Sequence, residues 1–158
     1  MRFLGPEELH TVSGPDLARV LESPELVVAF GAGEVRGLPA AALLFSDYAV
    51  LRRGATLRVD VPEAWAGVGW RLGRRALQWA LQGEQAERVV DELTTEDPDV
   101  WREEWMRHRS VMALDSAAFL LRSNGGDRLE RAEFARLFAA GEPQKGLTAF
   151  LSKTRAPW

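Results

Sequence analysis

The sequence predicts a single α/β or α+β domain, strands early and helices late. Its 158 residues suit one domain and can bury roughly two-thirds of the unfolded surface. Short apolar runs bounded by Pro and Gly fill the stretch up to Val61, as buried strands require. Beyond Pro62, apolar residues recur at helical spacing. The expected division is an α/β core over 1–82 and a helical C-terminal part of the same domain over 83–158, with no internal repeat or low-complexity tract.

Residues 1–24 look irregular until Pro15-Asp16-Leu17-Ala18-Arg19-Val20-Leu21-Glu22, a short amphipathic helix with Ser13 or Gly14 near its cap. Leu26 to Phe30 is continuously apolar between Pro24 and Gly31, which suits a fully buried strand. Gly31 to Gly37 is expected as a flexible loop, and Leu38 to Ser46 as a short apolar helix. Tyr48–Leu51 and Thr56–Val61 are expected as strands around an Arg52-Arg53-Gly54 turn, the second alternating so that one face is wet. Arg71–Leu81 has helical spacing and ends at Gly83, and Glu84–Leu93 is expected as another helix. Asp97-Pro98 opens the longest helix, which runs to about Arg122 and stops at Asn124-Gly125-Gly126. Asp127-Arg128-Leu129-Glu130 has capping-box spacing for a helix to Ala140. Gly141–Pro143 breaks the pattern, and a last helix ends near Lys153.

Composition narrows the function. There is no cysteine, which excludes disulfides, thiolate nucleophiles and Cys-ligated metals. A net charge of −3 supplies no global field for nucleic acid. The longest purely apolar run, Leu38 to Phe45, is too short to span a bilayer, and the first eight residues contain no signal-peptide apolar region. A soluble cytoplasmic protein is expected. Charge is uneven: Arg52 to Arg75 holds six arginines against Asp60 and Glu63, a region suited to a phosphorylated ligand or to plain solvation. Glu84 to Glu104 is strongly acidic, and Lys145 and Lys153 are the only lysines.

Known chemistries find little support in single motifs. Gly31-x-Gly33 follows an apolar strand, but Gly37 falls one residue too late for a dinucleotide fingerprint. Glu104 and His108 share a helix face without a further ligand, so no metal site is expected. There is no G-x-S-x-G, and His10 and His108 are the only imidazoles. Most tryptophans sit at core-like positions, whereas Trp158 after Pro157 is a candidate contact to a partner subunit.

Taken in order, the segments resemble the crotonase superfamily, the enoyl-CoA hydratase/isomerase group. The run Leu129-Glu130-Arg131-Ala132-Glu133-Phe134-Ala135-Arg136-Leu137-Phe138 is similar to the family's penultimate helix. Gln144-Lys145-Gly146-Leu147-Thr148-Ala149-Phe150-Leu151-Ser152-Lys153 resembles its closing "EGxxAFLEKR", and Pro157-Trp158 its Pro-aromatic ending. Leu26–Phe30 resembles "PVVAAV", and Gly37 to Val50 resembles "GGGxELALxCDxxV". Trp70-Arg71-Leu72 resembles "QRL". The likeness covers nearly the whole chain from about Asp16. It implies a crotonase-like α/β fold, here the remnant of a ββα spiral followed by C-terminal helices.

The departures shape the functional expectation. Most of the N-terminal spiral is expected to be missing, with Leu4-Gly5-Pro6-Glu7-Glu8-Leu9 standing where the family's "AGxD" turn would be. Gly37 matches the first glycine of "GGG", while Leu38 and Pro39 replace the next two. The resemblance places an oxyanion-hole N–H at Leu38, whose side chain is expected to crowd the thioester oxygen. The first family glutamate falls on Ala41, and the second near Pro62-Glu63, so Glu63 is the candidate acid/base. Gly37, Lys145 and Lys153 are the implied substrate-binding residues, the lysines meeting coenzyme A phosphates. No cofactor is implied; a coenzyme A thioester is the substrate.

Two readings follow. One is an acyl-CoA isomerase or lyase of fatty acid metabolism, with hydratase chemistry weakened or lost. The other is a non-catalytic crotonase-like binding or assembly protein. Both imply a homotrimer or hexamer, with Leu147, Phe150, Leu151 and Trp158 as candidate contacts.

Overall fold

The computed structural model describes residues 1–58, 89–123 and 125–158. These fall into two compact units, one of residues 2–23 and 27–98, the other of Met1, 24–26 and 99–158.

The first unit is a parallel α/β layer. Its elements are β1 (Arg2–Leu4), α1 (Pro6–His10), α2 (Gly14–Glu22), β2 (Val27–Gly31), β3 (Glu34–Arg36), α3 (Leu38–Phe45), β4 (Tyr48–Arg52), β5 (Thr56–Arg58) and β6 (Glu92–Thr94). Four strands pair in parallel in the order β1-β2-β4-β6, and β3 pairs in parallel with β5 in a second, two-stranded sheet. Phe3 stands opposite Val28, Ala29 opposite Ala49, and Leu51 opposite Leu93. Parallel strands covered on both faces must be apolar throughout, and every residue of β2 is buried. Leu9, Val20, Val27, Val35, Leu43, Leu44 and Leu51 form the centre of the core with the three alanines of α3.

The structure agrees with the sequence at β2, α2 and α3 and corrects it elsewhere. Arg2–Leu4 and Pro6–His10 are ordered elements, not irregular chain, because β1 joins the edge of β2. The segment expected as a flexible loop contains β3, whose only buried residue is Val35. β4 and β5 do not pair with each other; each finds a parallel partner in a different sheet. In β5 only Leu57 is buried, so its other face is wet as expected; residues 59–61 lie outside the described residues. The helix expected over Glu84–Leu93 gives way at its described end to β6, which pairs with β4. The helix expected over Arg71–Leu81 lies outside the described residues.

The second unit is helical: α4 (Pro98–Met106), α5 (Val111–Arg122), α6 (Gly126–Ala139) and α7 (Glu142–Leu151). The single helix expected from Asp97 to Arg122 is therefore two. Ser110, at φ −75° and ψ 116°, leaves the helical region, and its Oγ accepts the Ala113 N–H at 3.1 Å, capping a new helix. The capping box expected at Asp127 does not form. α6 starts two residues earlier, with Gly125 as its N-cap, and Asp127 sits inside the first turn, where its charge suits the helix dipole.

Two polar clusters tie these helices together. Arg136 and Glu133 of α6 are ion-paired at 2.9 Å, and the Ser116 hydroxyl of α5 donates to Glu133 at 2.8 Å. Glu142, buried at the start of α7, takes the Ser110 hydroxyl and the Lys145 ammonium, the latter at 2.6 Å. Asp115 accepts the Leu26 N–H and the Met1 amino group, each at 3.0 Å.

Candidate functional site

In the first unit the residues singled out in the sequence meet at the start of α3. Gly37 sits at φ 64° and ψ −130°, a backbone region that side chains disfavour. Its N–H donates to the Arg58 carbonyl at 3.1 Å and its carbonyl accepts the Ala41 N–H at 3.0 Å. This sharp entry starts a helix whose first-turn amides have no intrahelical acceptor, Leu38 among them. The Leu38 side chain, expected to crowd an oxygen bound there, is partly buried and packs against the core cluster. Three residues on, Ala41 is 1% exposed and belongs to that cluster.

Other candidates resolve into structural roles. Gly31 ends β2 inside the core: a Cβ there would lie 2.9 Å from Leu51 Cδ1 and 3.1 Å from Val35 Cγ2. Its glycine is thus demanded by close packing of neighbouring elements. Gly5 caps α1, and its N–H meets the Glu8 carboxylate at 3.4 Å. His10 contacts the Ala32 carbonyl at 3.2 Å. Glu63, Pro62 and the Trp70-Arg71-Leu72 segment lie outside the described residues.

In the second unit, Lys145 and Lys153 lie near opposite ends of α7. Lys145 is half exposed beside Glu142. The Lys145 ammonium and Ser110 hydroxyl hold the Glu142 carboxyl below the usual carboxylate range. Lys153 occupies an unusual position. The Lys153 N–H bonds the Phe150 carbonyl at 3.2 Å and the Thr154 N–H bonds the Ala149 carbonyl at 2.9 Å. That pair of bonds is a Schellman terminus, and Lys153, at φ 52°, fills the left-handed position usually given to glycine. No signal in the helical periodicity announced this.

Glu104 and His108 are 3.3 Å apart, but Arg107 also reaches Glu104, at 2.6 Å. Among the described residues no group of three or more potential metal ligands converges, and no helix is long and apolar enough to cross a membrane. Trp158 lies against α7: a Cβ on Gly146 would stand 3.3 Å from its ring. Phe134, Leu147, Phe150 and Leu151 remain well exposed on α6 and α7.

Solved structures share this arrangement of parallel strands and helices. An enoyl-CoA hydratase/isomerase from Marinobacter aquaeolei matches over 92% of this chain with a TM-score of 0.61 and 21% identity. The fold is that of the enoyl-CoA hydratase/isomerases. An enoyl-CoA hydratase from Bacillus anthracis matches all of the chain with a TM-score of 0.66 at 16% identity, over 81% of its own length. An enoyl-CoA hydratase/carnithine racemase from Magnetospirillum magneticum matches 90% with a TM-score of 0.65 at 19% identity. The chain described here spans 65% of the Marinobacter protein and 62% of the Magnetospirillum one. No protein-family model matches the sequence, and no curated protein matches it.

Proposed function

We propose that this protein binds an acyl-CoA thioester, with hydratase chemistry weakened or lost. The observation that carries the reading is the turn at Gly37, which opens α3 with the Leu38 N–H free of an intrahelical acceptor. A backbone N–H at a helix start stabilises an oxygen that gains charge as a thioester enolises. Glu63 moves the proton in this reading, and Lys145 and Lys153 meet the coenzyme's phosphates. An isomerase or a one-carboxylate lyase suits a single glutamate better than a hydratase, since Ala41 carries no base.

The second reading, a non-catalytic assembly protein, is favoured by the apolar side chains of Leu147, Phe150 and Leu151, which are 59–79% exposed. Apolar surface of that kind belongs in an interface. A homotrimer or hexamer through α7 is the form proposed.

Calorimetric titration with CoA, acetyl-CoA and crotonyl-CoA, followed by an ultraviolet assay of the crotonyl double bond, separates the two. Saturable binding with turnover lost in Glu63→Ala supports the enzyme. Binding without turnover leaves a thioester cleft with dead chemistry. Absence of binding refutes the acyl-CoA reading, and monomeric light scattering at micromolar concentration refutes the assembly.

A further inference from the structure

The two-stranded sheet carries an edge whose charges complement themselves. In the large sheet, β2 and β4 are each followed by a strand of the small one, β3 and β5. β1 breaks this alternation, because Gly5 leads its chain straight into α1. β3 thus has β5 on one side and, among the described residues, no strand on the other.

The bonds to β5 show which way the backbone of β3 faces. The Thr56 N–H donates to the Gly33 carbonyl at 2.9 Å, and the Gly37 N–H donates to the Arg58 carbonyl at 3.1 Å. Residues 33, 35 and 37 therefore turn their backbone polar groups toward β5. Successive residues of a strand alternate, so those of Glu34 and Arg36 turn toward the opposite edge. An edge of this kind is a template for a further strand.

We propose that the β3 edge pairs with a second copy of itself, antiparallel about a twofold axis at Val35. In that register Glu34 of each chain stands opposite Arg36 of the other, as a hydrogen-bonded pair. The run Glu34-Val35-Arg36 reads as its own charge complement when reversed, which favours a second copy over an unrelated strand. The Glu34 and Arg36 side chains are 57% and 67% exposed, and their contact along the strand is long, at 3.8 Å, so both can reach across to a partner. Arg36 also lies directly opposite Arg58 within the sheet, and both are exposed. Like charges so placed destabilise a strand pair, and a carboxylate arriving on the other side of Arg36 offsets that repulsion. Gly33 at φ 67° and Gly37 at φ 64° turn the chain at both ends of the strand. Only the register centred on Val35 then pairs every outward group.

The proposal rests neither on the acyl-CoA reading nor on assembly through α7. A strand of three residues makes a small interface and a weak dimer. Sedimentation velocity of the full chain, from about 1 μM to about 1 mM, is the test. A species of twice the mass is expected to grow with concentration and to fade as salt rises. E34R and R36E should each weaken it about tenfold, by setting like charges opposite one another. The double swap, E34R with R36E, keeps the edge self-complementary and should restore it. The two single variants should also associate when mixed, since one edge is then basic throughout and the other acidic throughout. Assembly through α7 changes the masses but not the contrast: with it E34R takes a hexamer to a trimer, without it a dimer to a monomer. Masses unchanged in both single variants with native circular dichroism overturn the pairing while leaving the α7 assembly standing, and the charges then only guard the edge. A double swap that stays dissociated, or single variants that ignore each other, overturns it as well. A parent that is monomeric at about 1 mM overturns both this pairing and the α7 assembly.

Discussion

The Asp91 carboxylate accepts the Ala49 N–H at 2.7 Å while the Ala49 carbonyl accepts the Asp91 N–H at 2.9 Å. The same clasp joins Asp47 to Val27, at 2.6 and 2.9 Å. Each aspartate stands one residue before a strand and grips the start of the neighbouring parallel strand. Val27 and Ala49 are fully buried, so water cannot replace a lost acceptor. Asp47→Ala and Asp91→Ala should each cost about 2 kcal/mol, the range for a buried donor that loses a charged partner. Asn, which keeps an acceptor oxygen, should cost less. Urea unfolding monitored by circular dichroism measures this, and losses under about 0.5 kcal/mol would show the clasps to be incidental.

Lys153→Gly tests the C-terminal turn. Glycine adopts the left-handed region without the steric cost that a side chain pays there, so the variant should gain about 1 kcal/mol of stability. Under the proposed function the same change removes a phosphate contact and weakens CoA binding. Stability and affinity should move in opposite directions. A variant less stable than the parent would mean that the lysine side chain supports the turn.

These particulars show where the sequence speaks and where it is silent. Leu26–Phe30 and Leu38–Phe45 are legible because complete burial demands unbroken apolar runs, which stand out in any window. β1, β3 and β6 are three residues each, too short to show a period. They exist because a parallel partner distant in sequence pairs with them. The split between α4 and α5 is hidden because Trp101, Trp105 and Met112 continue one apolar stripe across it, and only the Ser110 cap marks the break. Asp47 and Asp91 did carry a signal, an aspartate directly before each strand. Of the candidate site, Gly37 and Leu38 were legible through resemblance, while the left-handed turn at Lys153 left no mark on the helical periodicity.

Acid should loosen the helical unit in a defined direction. Arg136 and the Ser116 hydroxyl hold the Glu133 carboxyl below its ordinary value of 4.5, and Lys145 and Ser110 do the same for Glu142. A carboxylate whose folded value is depressed adds stability that is complete above the unfolded value and disappears as pH falls through the folded one. These contributions should therefore be constant from pH 7 to about 5 and fade below 4.5. Glu142→Gln should melt lower than the parent at pH 7, with the gap closing as pH drops below that window. Thermal melts across pH check this, and a gap that stays constant into acid would mean that the carboxylate's charge plays no part.

Ala41→Glu restores the residue type that the hydratase resemblance places there, and the fold argues that it will not restore the reaction. Ala41 is 1% exposed, and its flanking residues Ala40 and Ala42 are fully buried. A glutamate side chain must displace packed core atoms and bring a carboxylate out of water, two penalties that together should cost about 3 kcal/mol or more. The buried acid would also favour its neutral form, which is the wrong state for a general base. The expected result is a marked drop in the urea midpoint and no gain of crotonyl-CoA hydration in the ultraviolet assay. Hydration appearing with little loss of stability would instead place position 41 beside an open cleft and reduce the departure from hydratase chemistry to one side chain.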